Sequence, residues 1–172
     1  MTNRITHLAR LSMLLALATV IHSLEQLLPI TVVWFRFGFA NIIGLAALEL
    51  YGFRAALMVT VGRVFLGSLV SGLFGSPAFL LALSGGFLAI LMMGLVHRLN
   101  GGIFSEVGIS VCGAVMHNCG QLAMAYLVVI RNEGIVLFLP VMLITAAITG
   151  VLNGLAARVF VNRLRRIQSS LP

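Results

Sequence analysis

The sequence contains no lysine and no aspartate, and it is poor in charge of either sign. Only 9% of its 172 residues are charged, against about 25% in a soluble domain. With 60% hydrophobic residues, too few polar groups remain to cover a surface that faces water. A soluble globular fold is therefore excluded, and the chain reads as an integral membrane protein. Without lysine there is no GxxxxGK[ST] phosphate loop, so ATP is not bound by that route. Without aspartate there is no aspartate-rich site for magnesium and a diphosphate. The histidines lack HExxH or comparable ligand spacing, which argues against a metal site. No Ser-His-acid pattern stands out, so no catalytic residue is assigned and no enzymatic activity is expected. Cys112 and Cys119 lie seven residues apart, roughly 10 Å along a helix. That is too far for a disulfide within one helix, and they read as small buried thiols.

What is present is apolar sequence in long runs. A crossing needs about 20 such residues, and the sequence predicts six: about 8–28, 32–51, 54–75, 77–97, 106–130 and 135–160. Pro29, Gly52, Gly75-Ser-Pro77, Asn100-Gly-Gly102 and Asn132-Glu-Gly134 separate them with turn chemistry. Arg36 interrupts the second run, which starts late or is broken. The first run extends to Leu28 without a convincing cleavage site, so it is a span and not a signal peptide. Residues 1–172 form one integral membrane domain, an all-α bundle.

The formal net charge of +7 comes with eleven arginines. They lie between apolar segments, which points to topology and away from a nucleic-acid partner. With six crossings, Arg4, Arg10, Arg54, Arg98, Arg158, Arg163, Arg165 and Arg166 fall on one side. Arg36 and Arg131 fall on the other. The positive-inside bias places both termini in the cytoplasm and the chain, multi-pass, in the inner (cytoplasmic) membrane. The basic C-terminal cluster reads as an anchor on anionic lipid.

Arg63 lies inside a span, nine residues from Arg54 and so roughly 14 Å deep. Intramembrane charges face a partner or a watery cavity. Further polar residues share the middle and outer depths: His22 and Glu25 at i,i+3, then Asn41, Ser84, and the trio His117, Asn118 and Gln121. Glu49 and Asn153 belong nearer the cytoplasmic ends. Each of these residues can be interhelical glue. Their convergence from several helices favours an outward-opening cavity that binds a small molecule, with His22, Glu25, Asn41, Arg63, Ser84, His117, Asn118 and Gln121 as substrate-binding candidates. Three small-xxx-small pairs, Ser12/Ala16, Gly67/Ser71 and Gly150/Gly154, permit close helix contacts.

The runs Gly38-Phe-Ala-Asn41, Tyr51-Gly-Phe-Arg54, Val61-Gly-Arg63, GAVMHNCGQL (113–122), Leu139-Pro-Val-Met-Leu143 and Gly150-Val-Leu-Asn-Gly154 carry a resemblance over about residues 10–160. The chain resembles the membrane family called "Gx transporter" or "heptaprenyl diphosphate synthase component I". GA-x-x-HN-x-GQL is the more specific of these motifs, and the family's GLAN stands here as GFAN. The first name implies similarity to the S component of energy-coupling factor transporters. Those are six-helix binders with an outward-facing pocket, dependent on a transmembrane coupling protein and two ATPases. ATP would then act only through partner subunits. Ser12-Met-Leu-Leu-Ala16 approximates the AxxxA by which such components dock. The second name implies a role in prenyl-chain elongation. The missing aspartate restricts this chain to a non-catalytic membrane component of prenyl or quinone metabolism, or of membrane redox machinery. A proton-coupled carrier using His22, Glu25 and His117 is a third reading.

Overall fold

Six α-helices run through the residues that the computed structural model describes, 2–27, 38–100 and 103–169. They are α1 (Thr2–Leu27), α2 (Ala40–Tyr51), α3 (Phe53–Val70), α4 (Pro77–Leu99), α5 (Glu106–Ala125) and α6 (Leu139–Ser169). A π-helical turn (Tyr126–Ile130) extends α5, and a 3-10 turn (Glu133–Phe138) leads into α6. The starts of α4 and α5 follow local rules. The Ser76 and Ser105 hydroxyls accept from the amides of Phe79 and Gly108 at 3.3 and 3.4 Å, and Pro77 occupies the first turn, where its missing N–H costs nothing. The third run ends earlier than 75, because the backbone turns at Gly72 and Gly75 with φ of 69° and 76°.

Among the described residues, five segments are long and apolar enough to cross a bilayer: Arg4–Gln26, Phe53–Val70, Pro77–Leu99, Glu106–Ile130 and Glu133–Ile167. Their large outward side chains, such as Met13, Leu24, Ile144 and Leu155, are exposed in the isolated chain, as lipid-facing side chains are. The second expected run differs. Helix α2 has 12 residues, about 18 Å of rise, against a hydrocarbon core of about 30 Å. It starts only after Gly38, whose φ of 66° breaks helical geometry. Pro29 and Arg36 lie outside the described residues.

This short helix is the centre of the bundle. Eight of its twelve residues are buried, and it packs against α1, α3, α4, α5 and α6. Its Ile43, Leu45 and Leu48 join Leu14, Val59, Ile90, Met93 and Ile109 in one apolar core. At one end of the bundle, Glu49 of α2 meets His97 of α4 at 3.2 Å and Arg165 of α6 at 3.6 Å. His7 of α1 stacks edge-on against Tyr51 there. The beginning of α1 and the ends of α2, α4 and α6 thus gather together.

Two of the three small pairs are used inside the chain. A Cβ on Gly150 or Gly154 would stand 2.7 Å from Val111 Cα or 2.6 Å from Val107 Cα, so α5 and α6 touch backbone to backbone. A Cβ on Gly67 would stand 2.6 Å from His22 Cδ2. Ser12 and Ala16 instead face out of the bundle. Gly154→Leu should therefore lower stability by about 1–3 kcal/mol through overpacking, while Ala16→Leu leaves it unchanged. Thermal unfolding of both variants in lipid nanodiscs checks this, and equal destabilisation would contradict the assignment of faces.

Candidate functional site

The polar centre begins with a backbone problem. A chain that breaks its helix in an apolar interior exposes N–H and C=O groups that water cannot satisfy. At the start of α2 side chains from two other helices satisfy them. Glu25 of α1 accepts from the Phe39 amide at 2.5 Å, and Asn153 of α6 donates to the Gly38 carbonyl at 3.1 Å. The carboxylate thereby sits at the positive end of the α2 dipole. Arg63 of α3 donates from Nη2 to Asn41 Oδ1 at 2.5 Å, one turn into α2, and Glu25 is the charge that acts on it. The Arg63 side chain is only 2% exposed.

Around this break lies a cavity of about 10 Å³, lined by His22, Glu25, Gly38, Arg63, Val64, Ala82, His117 and Gln121. That is room for about one water molecule. His22 Nε2 lies 2.9 Å from Gln26 Nε2. His117 and Gln121, one turn apart on α5, face α4 across Gly85, where a Cβ would stand 3.0 Å from His117 Cε1 and 2.8 Å from Gln121 Cγ. Gly85 is thus the gap in α4 that admits the two side chains.

The structure brings His22, Glu25, Arg63, His117 and Gln121 to one cavity, with Asn41 bound to Arg63. It sets two candidates apart. The Ser84 hydroxyl lies 3.1 Å from the carbonyl oxygens of both Leu81 and Gly120, joining α4 to α5. Asn118 donates to the Met142 carbonyl at 2.7 Å, joining α5 to α6. GAVMHNCGQL therefore serves several contacts: a cavity wall through His117 and Gln121, a tie to α6 through Asn118, and a close approach to α4 through Gly120. Asn153, expected near a helix end, instead holds the break at Gly38. Sequence reasoning missed Gly38 and Asn153 as site residues. The signal was a glycine three residues before a buried asparagine, paired with a second asparagine inside an apolar run.

An α-helical bundle with several long apolar helices and a buried polar centre defines a multi-pass membrane protein. Within that class the family is shown. The profile described as "Heptaprenyl diphosphate synthase component I" matches residues 14–160, and the chain belongs to that family. No curated protein and no solved structure gives a significant match.

The pinned break gives a specific expectation. Asn153→Leu removes the side-chain donor to the Gly38 carbonyl and should cost about 1–3 kcal/mol, as a buried acceptor loses a partner. Asn162→Leu, at an exposed position on the same helix, should not. Chemical unfolding in mild detergent measures both, and equal behaviour of the two would remove Asn153 from the account.

Proposed function

We propose that this chain is the substrate-binding membrane subunit of an uptake system, similar to an S component. The observation that carries this is the meeting of five buried polar side chains, from α1, α3 and α5, at one cavity. Membrane interiors tolerate such groups chiefly where they serve a site or one another. The lining is mostly polar, with Val64 and Ala82 as its apolar members, so it offers hydrogen-bonding direction to a polar group of a ligand. The chain binds and releases its ligand without covalent chemistry and holds no cofactor. Energy comes from separate partners, a transmembrane coupling protein and ATPases, with ATP bound there. The outward-facing Ser12/Ala16 surface on α1 is available for such a helix partner. The family description, a "component I", supports a subunit working beside others.

A second reading is favoured by that same description: a non-catalytic membrane component of prenyl or quinone metabolism, or of membrane redox machinery. One experiment separates the two. Native mass spectrometry of gently purified protein should show a polar small-molecule adduct. Gln121→Leu should weaken its binding by about 1–3 kcal/mol, roughly 5- to 150-fold. A prenyl-chain adduct would move the assignment to the second reading. Absence of any adduct, or unchanged affinity in the variant, would end the binding assignment.

The same proposal places the protein in the inner membrane with both termini in the cytoplasm. The arginine distribution and the gathering of the α1 start with the α6 end support it. On a cysteine-free background, Ser169→Cys should react only with thiol reagents that have crossed the membrane. Labelling of intact cells by an impermeant reagent would reverse the topology.

A further inference from the structure

The cavity's polar atoms differ in what they still have to offer. Glu25 Oε1 accepts from Phe39 and Arg63 Nη2 donates to Asn41. His22 and His117 are each engaged within the protein. Two other polar atoms of the lining residues, Arg63 Nε and Gln121 Oε1, are buried with no hydrogen-bond partner among the described residues. One is a donor and the other an acceptor. Both side chains are almost wholly inaccessible, at 2% and 1% exposure.

We propose that the ligand group received here is uncharged and carries a hydrogen-bond acceptor beside a donor, the edge of an amide or lactam. Its carbonyl accepts from Arg63 Nε–H and its N–H donates to Gln121 Oε1. The inference rests on the binding assignment above and names the class of ligand for that same site.

Charge and size both support it. The cavity already holds one guanidinium and one carboxylate, Arg63 and Glu25, and Glu25 accepts from the amide at the start of α2. A second carboxylate would leave net negative charge in a low-dielectric cavity, and an ammonium group would face the guanidinium. Either is strongly disfavoured in a buried setting. The volume, about 10 Å³, is room for about one water-sized group, so a ligand reaches the two side chains with a terminal polar group and not with its whole body. An amide edge presents acceptor and donor on neighbouring atoms and satisfies both walls without adding charge. Sites built to hydrogen-bond a group reject analogues that lack it far more strongly than apolar pockets reject a missing methylene.

The full chain, labelled with ¹⁵N-arginine in nanodiscs, allows the test. The Arg63 Nε–H signal is identified by its loss in Arg63→Lys. Acetamide, acetate and acetone, which share one shape and differ in charge and in the donor, are titrated as near-isosteric probes. Acetamide should shift that signal saturably, with half-saturation at least tenfold lower than for the other two. The effect should disappear in Gln121→Leu, and the comparison of the three probes on the unaltered chain decides even if that variant fails to fold. A stronger response to acetate overturns the uncharged class while leaving the cavity as a binding site. A response to acetone equal to that of acetamide removes the donor requirement and overturns the amide edge. No response to any probe, in protein that retains its small-molecule adduct, overturns the class alone. No response together with no adduct overturns the binding assignment beneath it.

Discussion

The fold depends on one constraint: a helix that starts inside an apolar interior must have its free backbone groups satisfied by side chains. Gly38 and Phe39, just before α2, present those groups. Glu25 answers the amide, but a carboxylate at that depth requires a counter-charge. Arg63 supplies it and in turn needs acceptors, one of which is Asn41. Asn153 answers the carbonyl. Four polar residues from α1, α2, α3 and α6 follow from a single turn of backbone. Because α2 then starts deep in the bundle, it can be short, mostly buried and in contact with every other helix.

The sequence made the apolar architecture legible, because helix length and turn chemistry are local properties. Gly75-Ser-Pro77 and Asn132-Glu-Gly134 mark ends that the structure places within a few residues. The late start of α2 at Ala40 was signalled only by Arg36 in its run, a residue that itself lies outside the described residues. Of the candidate site, His22/Glu25 and His117/Gln121 were legible as pairs because i,i+3 and i,i+4 spacing fixes a shared helix face. Ser84 and Asn118 were grouped with them on depth alone. Depth does not specify azimuth, and the two side chains point to helix contacts on other sides of their helices. Asn153 was expected near a helix end because the predicted run is 135–160; α6 extends to Ser169, which leaves Asn153 near its middle.

Glue and site are not alternatives for these residues. Glu25, Asn41 and Arg63 hold the break, and the cavity exists because they are there. Substitutions among them change the folded reference state as well as any ligand contact, so their effects are coupled and cannot be added. His117 and Gln121 come from α5, across the cavity from the start of α2. Gln121 is the residue through which affinity can be changed with less effect on the backbone.

The arrangement of charge follows the arrangement of packing. Helices α4, α5 and α6 pack closely in sequence, as Gly120, Gly150 and Gly154 allow. Helices α1, α2 and α3 pack on one another and meet the other three chiefly through α3·α4 and α2·α6. The cavity lies on the seam between these two halves. Both of its charged side chains, Glu25 and Arg63, are of opposite sign and belong to the first half. The second half contributes an imidazole and an amide. Neither half therefore brings an uncompensated charge to the seam, and the two can close against each other without the desolvation penalty that a lone buried charge would carry. The seam is left with hydrogen-bonding direction and little net field, which suits recognition of a polar, uncharged group.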